Sequence, residues 1–496
     1  MAAEPILVGL DVGTTGVKAI AISPAGAVQA VATRSYPLST PRPGWSEQDP
    51  EDWWLASEAA LAEVSEGREV AGIGLSGQMH GLVVLDDAGA VIRPAILWND
   101  QRTAAECAEI EERVGPERLI ALTGNRAVTG FTAPKLLWLR RHEPDAYGRI
   151  ARIMLPKDYV RLRLTGEWAI DASDASGTLL LDVERRDWSG AVLDALEIPR
   201  DWLPPVIESP ERAGATRSSD TVSRGIPVAA GAGDQPAAAV GVGVDRPGAL
   251  SVVLGTSGVV LAALPGYAHD PEARVHAFCH AVPGTWQAMG VMLSAAGSLE
   301  WFREALAPDV PFDALVGEAE AWGPGAEGLV FLPYLSGERT PHADPDARGA
   351  FVGLTLRHDR GALVRAVLEG VAFGLRDSLD LIRALGLEAR VGRASGGGAR
   401  SRLWLRIAAS ALGVSLELTE SEEGSAFGAA LLGGVAAGVF ADVSDAVARC
   451  IRVVDVVEPD PVLVAAYAEL HPRFRALYPA LRPFGDPLDA DGSATR

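Results

Sequence analysis

Lysine is nearly missing from this 496-residue chain, with only Lys18, Lys135 and Lys157. None of the three follows glycine, so no Walker A loop can form, because that loop needs Gly-Lys-Ser/Thr to cradle phosphates. The His-Arg-Asp and Asp-Phe-Gly pair of protein kinases is absent, and the first glycine turn is not Gly-x-Gly-x-x-Gly and leads into no helical crossover, which disfavours a dinucleotide-binding fold. Three cysteines, Cys107, Cys279 and Cys450, are too few and too scattered for a disulfide framework or a four-thiolate zinc site, which leads us to expect a reducing, cytoplasmic setting. Basic charge is also scarce. Lys and Arg total 44 against 65 Asp and Glu, for a formal net charge of −21, which argues against nucleic acid or an anionic membrane as partner. A local pocket can still attract an anion. No basic segment leads into a long apolar run near Met1, so no signal peptide is read. The uncharged stretch Gly424 to Ala441 is mostly Gly and Ala, which suits a helix packed closely on a sheet better than a membrane span.

What remains is globular: 48% hydrophobic and 22% charged residues over a length that suits two to four domains. Ile6 to Asp11 reads as a strand, Gly13-Thr-Thr-Gly16 as a turn, Val17 to Ile22 and Ala27 to Thr33 as further strands. Asp49 to Glu66 reads as a capped helix, followed by a strand at Gly72 to Leu75 and a hairpin from Leu82 to Ile92. The opening repeats near residue 248, with strands at Ala249 to Leu254 and Val259 to Leu264 around Gly255-Thr-Ser-Gly258. A helix at Arg360 to Leu385, a strand at Ala389 to Ser395, the turn Gly396-Gly-Gly398 and a helix from Ser401 follow. Two halves that each begin strand, glycine turn, strand predict a duplicated α/β domain with a cleft between copies. The expected division is 1–246, 247–482 and a loosely ordered tail over 483–496.

Chemistry concentrates at the turns. Asp11-x-Gly13-Thr14-Thr15-Gly16 sets a carboxylate beside backbone N–H groups and hydroxyls, with Lys18 two residues on. Gly255-Thr256-Ser257-Gly258 repeats the pattern. Each turn alone could be a plain hairpin; the pair, opening both halves, favours clasping a polyphosphate, with Asp11 holding Mg²⁺ through water. Gly396-Gly397-Gly398 leaves bare backbone for a flat ring or sugar, or is a simple strand-to-helix connection. Asp234, in Gly231-Ala-Gly-Asp-Gln-Pro236, is either a general base toward a hydroxyl or a helix N-cap, and the two roles can coexist. Gln78-Met79-His80-Gly81 and Trp98-Asn99-Asp100 mix aromatic faces with amide, imidazole and carboxylate groups, as a polyol site or a core would. His276-x-x-Cys279-His280 reads as part of a strand wall in preference to a metal site.

Together these motifs resemble the FGGY family of carbohydrate kinases from about Leu7 to Arg482. The resemblance is carried by the turns above and by Trp45-Ser-Glu-Gln-Asp-Pro50, Phe131-Thr-Ala-Pro-Lys135, Leu155-Pro-Lys-Asp-Tyr159 and Phe331-Leu-Pro-Tyr-Leu-Ser-Gly-Glu-Arg-Thr-Pro341. The glycine turns are family-wide. Gln78-Met-His-Gly81 with Leu97-Trp-Asn-Asp100 is narrower, and is similar to the branch that phosphorylates D-xylulose in xylose catabolism, in contrast to glycerol kinases and ribulokinases. The resemblance implies two actin-like (ribonuclease H-like) α/β domains with ATP and sugar between them. It implies Asp234 as the base that deprotonates O5 of D-xylulose, and Met79 and His80 lining the sugar, with Trp98 and Asp100 nearby. It further implies Asp11 organising Mg²⁺, Gly13 to Gly16 and Gly255 to Gly258 holding phosphates, Gly397 and Gly398 against adenosine, and a homodimer as the assembly to test. One departure is Gln235, where relatives often carry Asn; its extra methylene bears on the sugar's fit. Loss of the base or of a phosphate turn would have pointed to a non-catalytic sugar sensor, and both are present.

Overall fold

The protein is described from a computed structural model covering residues 4–217, 223–421 and 423–482. The first half is built on β1 (Ile6–Val12), β2 (Gly16–Ile22), β3 (Val28–Ser35), β4 (Val70–Gly77), β5 (Arg212–Ala215), β6 (Pro227–Ala229) and β7 (Ala232–Gly233). Their order across the sheet is β5-β6-β4-β1-β2-β3, with β7 also on β4. The second half carries β8 (Ala249–Leu254), β9 (Gly258–Leu264), β10 (His276–Cys279), β11 (Trp286–Met292), β12 (Val391–Ser395), β13 (Ser415–Thr419) and β14 (Val453–Val457), ordered β10-β11-β9-β8-β12-β13-β14. In each sheet the founding strand has two antiparallel neighbours in succession on one side. On the other side it has two parallel strands and then an antiparallel one. The duplication expected from the glycine turns is thus present as one strand pattern built twice.

Local signals act as the residue types require. Helix α1 (Pro50–Ser65) starts at Asp49, whose side chain accepts the Glu51 N–H, with Pro50 in the first turn. The hairpin after β4 turns through Asp86, which accepts N–H groups from Ala88 and Ala90. Helix α2 (Asp234–Gly241) follows β7 directly. Helices α3 (Ala296–Leu306), α4 (Arg360–Ala384) and α5 (Arg402–Leu412) belong to the second half. Asp359 caps α4, Ser401 caps α5, and the core of this half gathers Leu368, Phe331 and Trp404. Between residues 82 and 203, one set of apolar residues, among them Leu136, Leu139 and Leu193, packs on the second sheet through Val259, Leu261 and Phe278, while Val83, Leu85 and Tyr159 join the core of the first sheet. The expected tail after Arg482 lies outside the described residues.

The uncharged Gly/Ala segment forms α6 (Gly424–Ala436), which stops short of Ala441 because Gly438 takes a left-handed conformation at φ 74°. Although it follows the second sheet in the chain, α6 rests on the first one, beside β1, β4 and α2. The approach is backbone against backbone: a Cβ on Gly74 of β4 would overlap the Ala429 carbonyl, and one on Gly428 would overlap the Ala237 carbonyl of α2. Small residues in this stretch are therefore a packing requirement. No helix among the described residues is long and apolar enough to cross a membrane.

Gly428→Ala is expected to force α6 and α2 apart and lower stability by about 1–3 kcal/mol, seen as a lower urea midpoint. An unchanged midpoint would mean that the crossing has room for a methyl group.

Candidate active site

The site forms where parallel strands end. Val12 of β1 lies opposite Gly77 of β4, and Gly77 lies opposite Gly233 of β7. Asp11, the Gln78-Met79-His80 loop and Asp234 therefore leave adjacent carboxyl ends of one sheet, the usual location of ligand sites in open α/β sheets. In the second half Val253 of β8 pairs with Ser395 of β12, so Gly255 and Gly396–Gly398 emerge side by side in the same way.

Both glycine turns face their carbonyls into the protein. The Gly13 carbonyl accepts from Tyr36 Oη (2.5 Å) and Gln78 Nε2 (3.1 Å), and the Thr14 carbonyl from Gln48 Nε2 (2.7 Å). The Gly255 carbonyl accepts from Ala296 N (2.7 Å) and the Thr256 carbonyl from Ala295 N (2.8 Å), at the start of α3. With the carbonyls held back, the N–H groups of Thr14, Thr15, Thr256 and Ser257 are left without backbone acceptors among the described residues, and Thr15, Thr256 and Ser257 are exposed. This is the arrangement a phosphate needs from main-chain dipoles. Lys18 sits in register with Asp11 but forms an ion pair with Glu423 (2.9 Å). A cavity of about 660 Å³ runs from Gly255 and Thr256 past Gly397 and Gly398 to Leu299, Phe312 and Val316, with Glu300, Asp313 and Arg400 also on its lining, a size and a mix of apolar and polar groups that suit a nucleoside.

On the other side of Asp11 lies a wall of mixed polarity. Met79 is buried against Gly233, where an added Cβ would come within 2.7 Å of Met79 Cγ. His80 holds a left-handed backbone (φ 70°), fixed by Thr132 Oγ1 (3.0 Å) and Lys135 Nζ (2.8 Å) donating to its carbonyl. Its Nδ1 lies 2.6 Å from the Gly177 carbonyl, which can only accept, so Nδ1 carries the proton and Nε2 is an acceptor. Burial holds its pKa down at about 3, so the ring stays neutral. Trp98 is 42% exposed, with its indole N–H on Thr14 Oγ1 (2.9 Å). Asp100 does not face the cleft: it is fully buried, paired with Arg102 (2.6 Å) and accepting Ser46 N–H (2.7 Å), so its carboxylate shapes the loop. His276 and His280 are likewise committed to protein partners, Asn125 Oδ1 (2.7 Å) and the Val282 N–H (3.1 Å).

Asp234 is the first residue of α2, with Gly233 as the cap, and its Oδ1 accepts the Gln235 N–H (2.7 Å). Burial, and then the charge of Asp11, push its pKa up to about 7. Burial likewise raises Asp11 to about 6, and Asp11 Oδ1 is buried with no hydrogen-bond partner among the described residues. Gln235, next to Asp234, is half-buried. Behind this turn lies a charge cluster that motif reading did not single out for a role. Lys157 pairs with Asp158 (2.7 Å), Asp171 (2.7 Å) and Asp174 (3.0 Å), all buried. Arg161 donates to the Ala230 carbonyl (2.6 Å) and Ser173 Oγ accepts the Gly233 N–H (3.4 Å), so the cluster holds the turn that carries Asp234. The cavity wall at Leu299, Phe312 and Val316 was also missed, since it carries no motif.

Comparison with known proteins agrees with this geometry. The FGGY family of carbohydrate kinases matches through its N-terminal domain at residues 6–241 and its C-terminal domain at residues 250–437. The chain is 44% identical to the xylulose kinase of Escherichia coli K12, over 96% of this chain and 99% of that one. It is 38% identical to that of Bacillus subtilis 168, over 95% and 96%. Among solved structures, a xyloylose kinase from Brucella ovis superposes with a TM-score of 0.90 at 44% identity, covering 97% of this chain and 100% of that one. The xylulose kinase of Rhodospirillum rubrum does so with a TM-score of 0.90 at 35% identity, covering 97% and 99%.

Because folded Asp234 keeps its proton to about pH 7, against an ordinary value of 3.8, rising pH between these limits lowers stability. Asp234→Asn removes that cost. The variant is expected to match the wild type in urea near pH 4 and to exceed it by about 1–2 kcal/mol above pH 7, after allowing for partial exposure. A difference independent of pH would mean that Asp234 titrates normally.

Proposed function

The chain belongs to the FGGY family of carbohydrate kinases, whose members phosphorylate sugars with ATP, and we propose that its sugar is D-xylulose and its product D-xylulose 5-phosphate. The observation that carries the reading is the pairing of Asp234, a carboxylate poised near neutrality, with a wall made of Met79, His80 and Trp98, across from two phosphate-binding turns. Asp234 takes the proton from O5 as that oxygen attacks the γ-phosphorus. The bond from phosphorus to the bridging oxygen breaks, and ADP leaves with that electron pair.

Each remaining residue has a task in this account. Main-chain N–H groups at Gly13–Gly16 and Gly255–Gly258 hold the phosphates, and Gly397 and Gly398 let the nucleoside lie against backbone. His80 Nε2 accepts a sugar hydroxyl, Trp98 offers an aromatic face, and Gln235 adjoins the hydroxyl that Asp234 activates. Asp11, with its free buried oxygen beside Asp234, suits a hard divalent ion, and would hold Mg²⁺ directly or through water. When bound, that ion neutralises phosphate charge.

Asp234→Ala is expected to lower kcat by about 10²–10⁴-fold while leaving ATP affinity nearly unchanged, measured by coupled assay and nucleotide titration. In the wild type, kcat/KM should rise as pH passes about 7, when the base loses its proton. ³¹P and ¹³C NMR of the product should place the phosphate on C5. Turnover by the variant near the wild-type rate would remove Asp234 from the mechanism.

A further inference from the structure

The segment Phe331–Pro341 has no part in the account above, yet it is fixed with care against the sugar side of the cleft. Thr340 donates its N–H to the Val291 carbonyl of β11 (3.0 Å), and its Oγ1 accepts the Val291 N–H (3.0 Å) while donating to the Arg274 carbonyl (2.9 Å). Buried Glu338 accepts N–H groups from Leu293 (3.0 Å) and Arg339 (2.7 Å). The backbone at Arg339 is thereby tied to β11 and to the entry of β10. His276 follows Arg274 by two residues, and its register partner Met289 lies two residues from Val291, so these positions share a face. From His276 the ring wall continues to Phe131 (5.9 Å between centroids) and from Phe131 to His80 (4.5 Å).

Arg339 therefore stands, from the second half, at the pocket that His80 and Met79 line from the first. Its side chain is exposed and its guanidinium makes no ion pair or side-chain hydrogen bond among the described residues. Burial is the main reason the pKa values of His80 and His276 are depressed, and the Arg339 charge, which reaches both rings, adds to it.

We propose that Arg339 is a specificity-determining residue whose guanidinium donates to the oxygens at the carbonyl end of the ketose, O1 and O2, opposite the end presented to Asp234. This rests on the ketose kinase reading above. A carbonyl oxygen and its neighbouring hydroxyl offer adjacent lone pairs to the guanidinium's fork of N–H groups, while His80 Nε2 accepts a hydrogen bond from another hydroxyl. A polyol without the carbonyl would leave that fork poorly paired, a cost that falls on the wrong substrate. Since Arg339 comes from the second half and His80 from the first, the sugar would bridge the two.

The test compares Arg339→Ala and Arg339→Lys with the wild type, using D-xylulose and its 1-deoxy analogue, which lacks the O1 hydroxyl. The alanine variant is expected to raise sugar KM about 10–100-fold, with ATP KM unchanged and the lysine variant in between. Wild-type discrimination against the 1-deoxy analogue should also disappear in the alanine variant. An unchanged sugar KM, or sugar and ATP KM rising together, would overturn the proposal. Wild-type turnover reports separately on the functional reading: if another ketose is preferred, the variants are read on that ketose. Absence of turnover with every ketose overturns both.

Discussion

Everything at the site depends on a helix from late in the chain lying backbone to backbone on the first sheet. Glycines at 9 and 74 on β1 and β4, and at 241 and 428 where α2 crosses α6, remove the side chains that would hold these elements apart. The seam is what sets the reacting groups. Ser425 on α6 donates to the Asp234 carbonyl (3.2 Å), and Glu423 at the helix start takes Lys18 opposite Asp11. Dispersion and burial at such close approach reward small residues alone, which is why a stretch as bland as Gly424–Ala436 carries so much of the architecture.

Charge is used sparingly in the cleft. A chain with net charge −21 and three lysines, two of them buried, presents at its two glycine turns mainly peptide N–H groups aimed by inward-held carbonyls. Those dipoles keep their direction at every pH. Burial raises the proton affinity of both Asp11 and Asp234, and the charge of Asp11 raises that of Asp234 further. A carboxylate poised near neutrality is the outcome, and the buried cluster around Lys157 keeps its turn in place. The stability cost sits in the residues proposed to do the chemistry, a usual trade between stability and activity.

Much of this was legible in the residues, and the failures have physical causes. Strand, glycine turn and strand, occurring twice, gave away the duplicated sheet because turn chemistry is local. Asp234 was readable as base or cap, and the structure assigns the cap to Gly233. Asp100 misled: its acid group looked available in Trp98-Asn-Asp100, but Arg102 two residues on neutralises it inside the protein. Lys18 looked poised for phosphate, and its partner Glu423 is 405 residues distant, beyond any local pattern. The cavity wall at Phe312 and Val316 is ordinary apolar sequence whose place only tertiary packing assigns.

The most direct test of the account is an ATP-coupled assay of the purified protein with Mg²⁺, comparing D-xylulose with D-ribulose, L-ribulose, glycerol and no sugar. The account predicts strong preference for D-xylulose, with Gln235 tolerated beside the base. Equal or better turnover of another sugar would contradict the reading of the Met79–His80–Trp98 wall, and absence of turnover with any of them would contradict catalysis by Asp234.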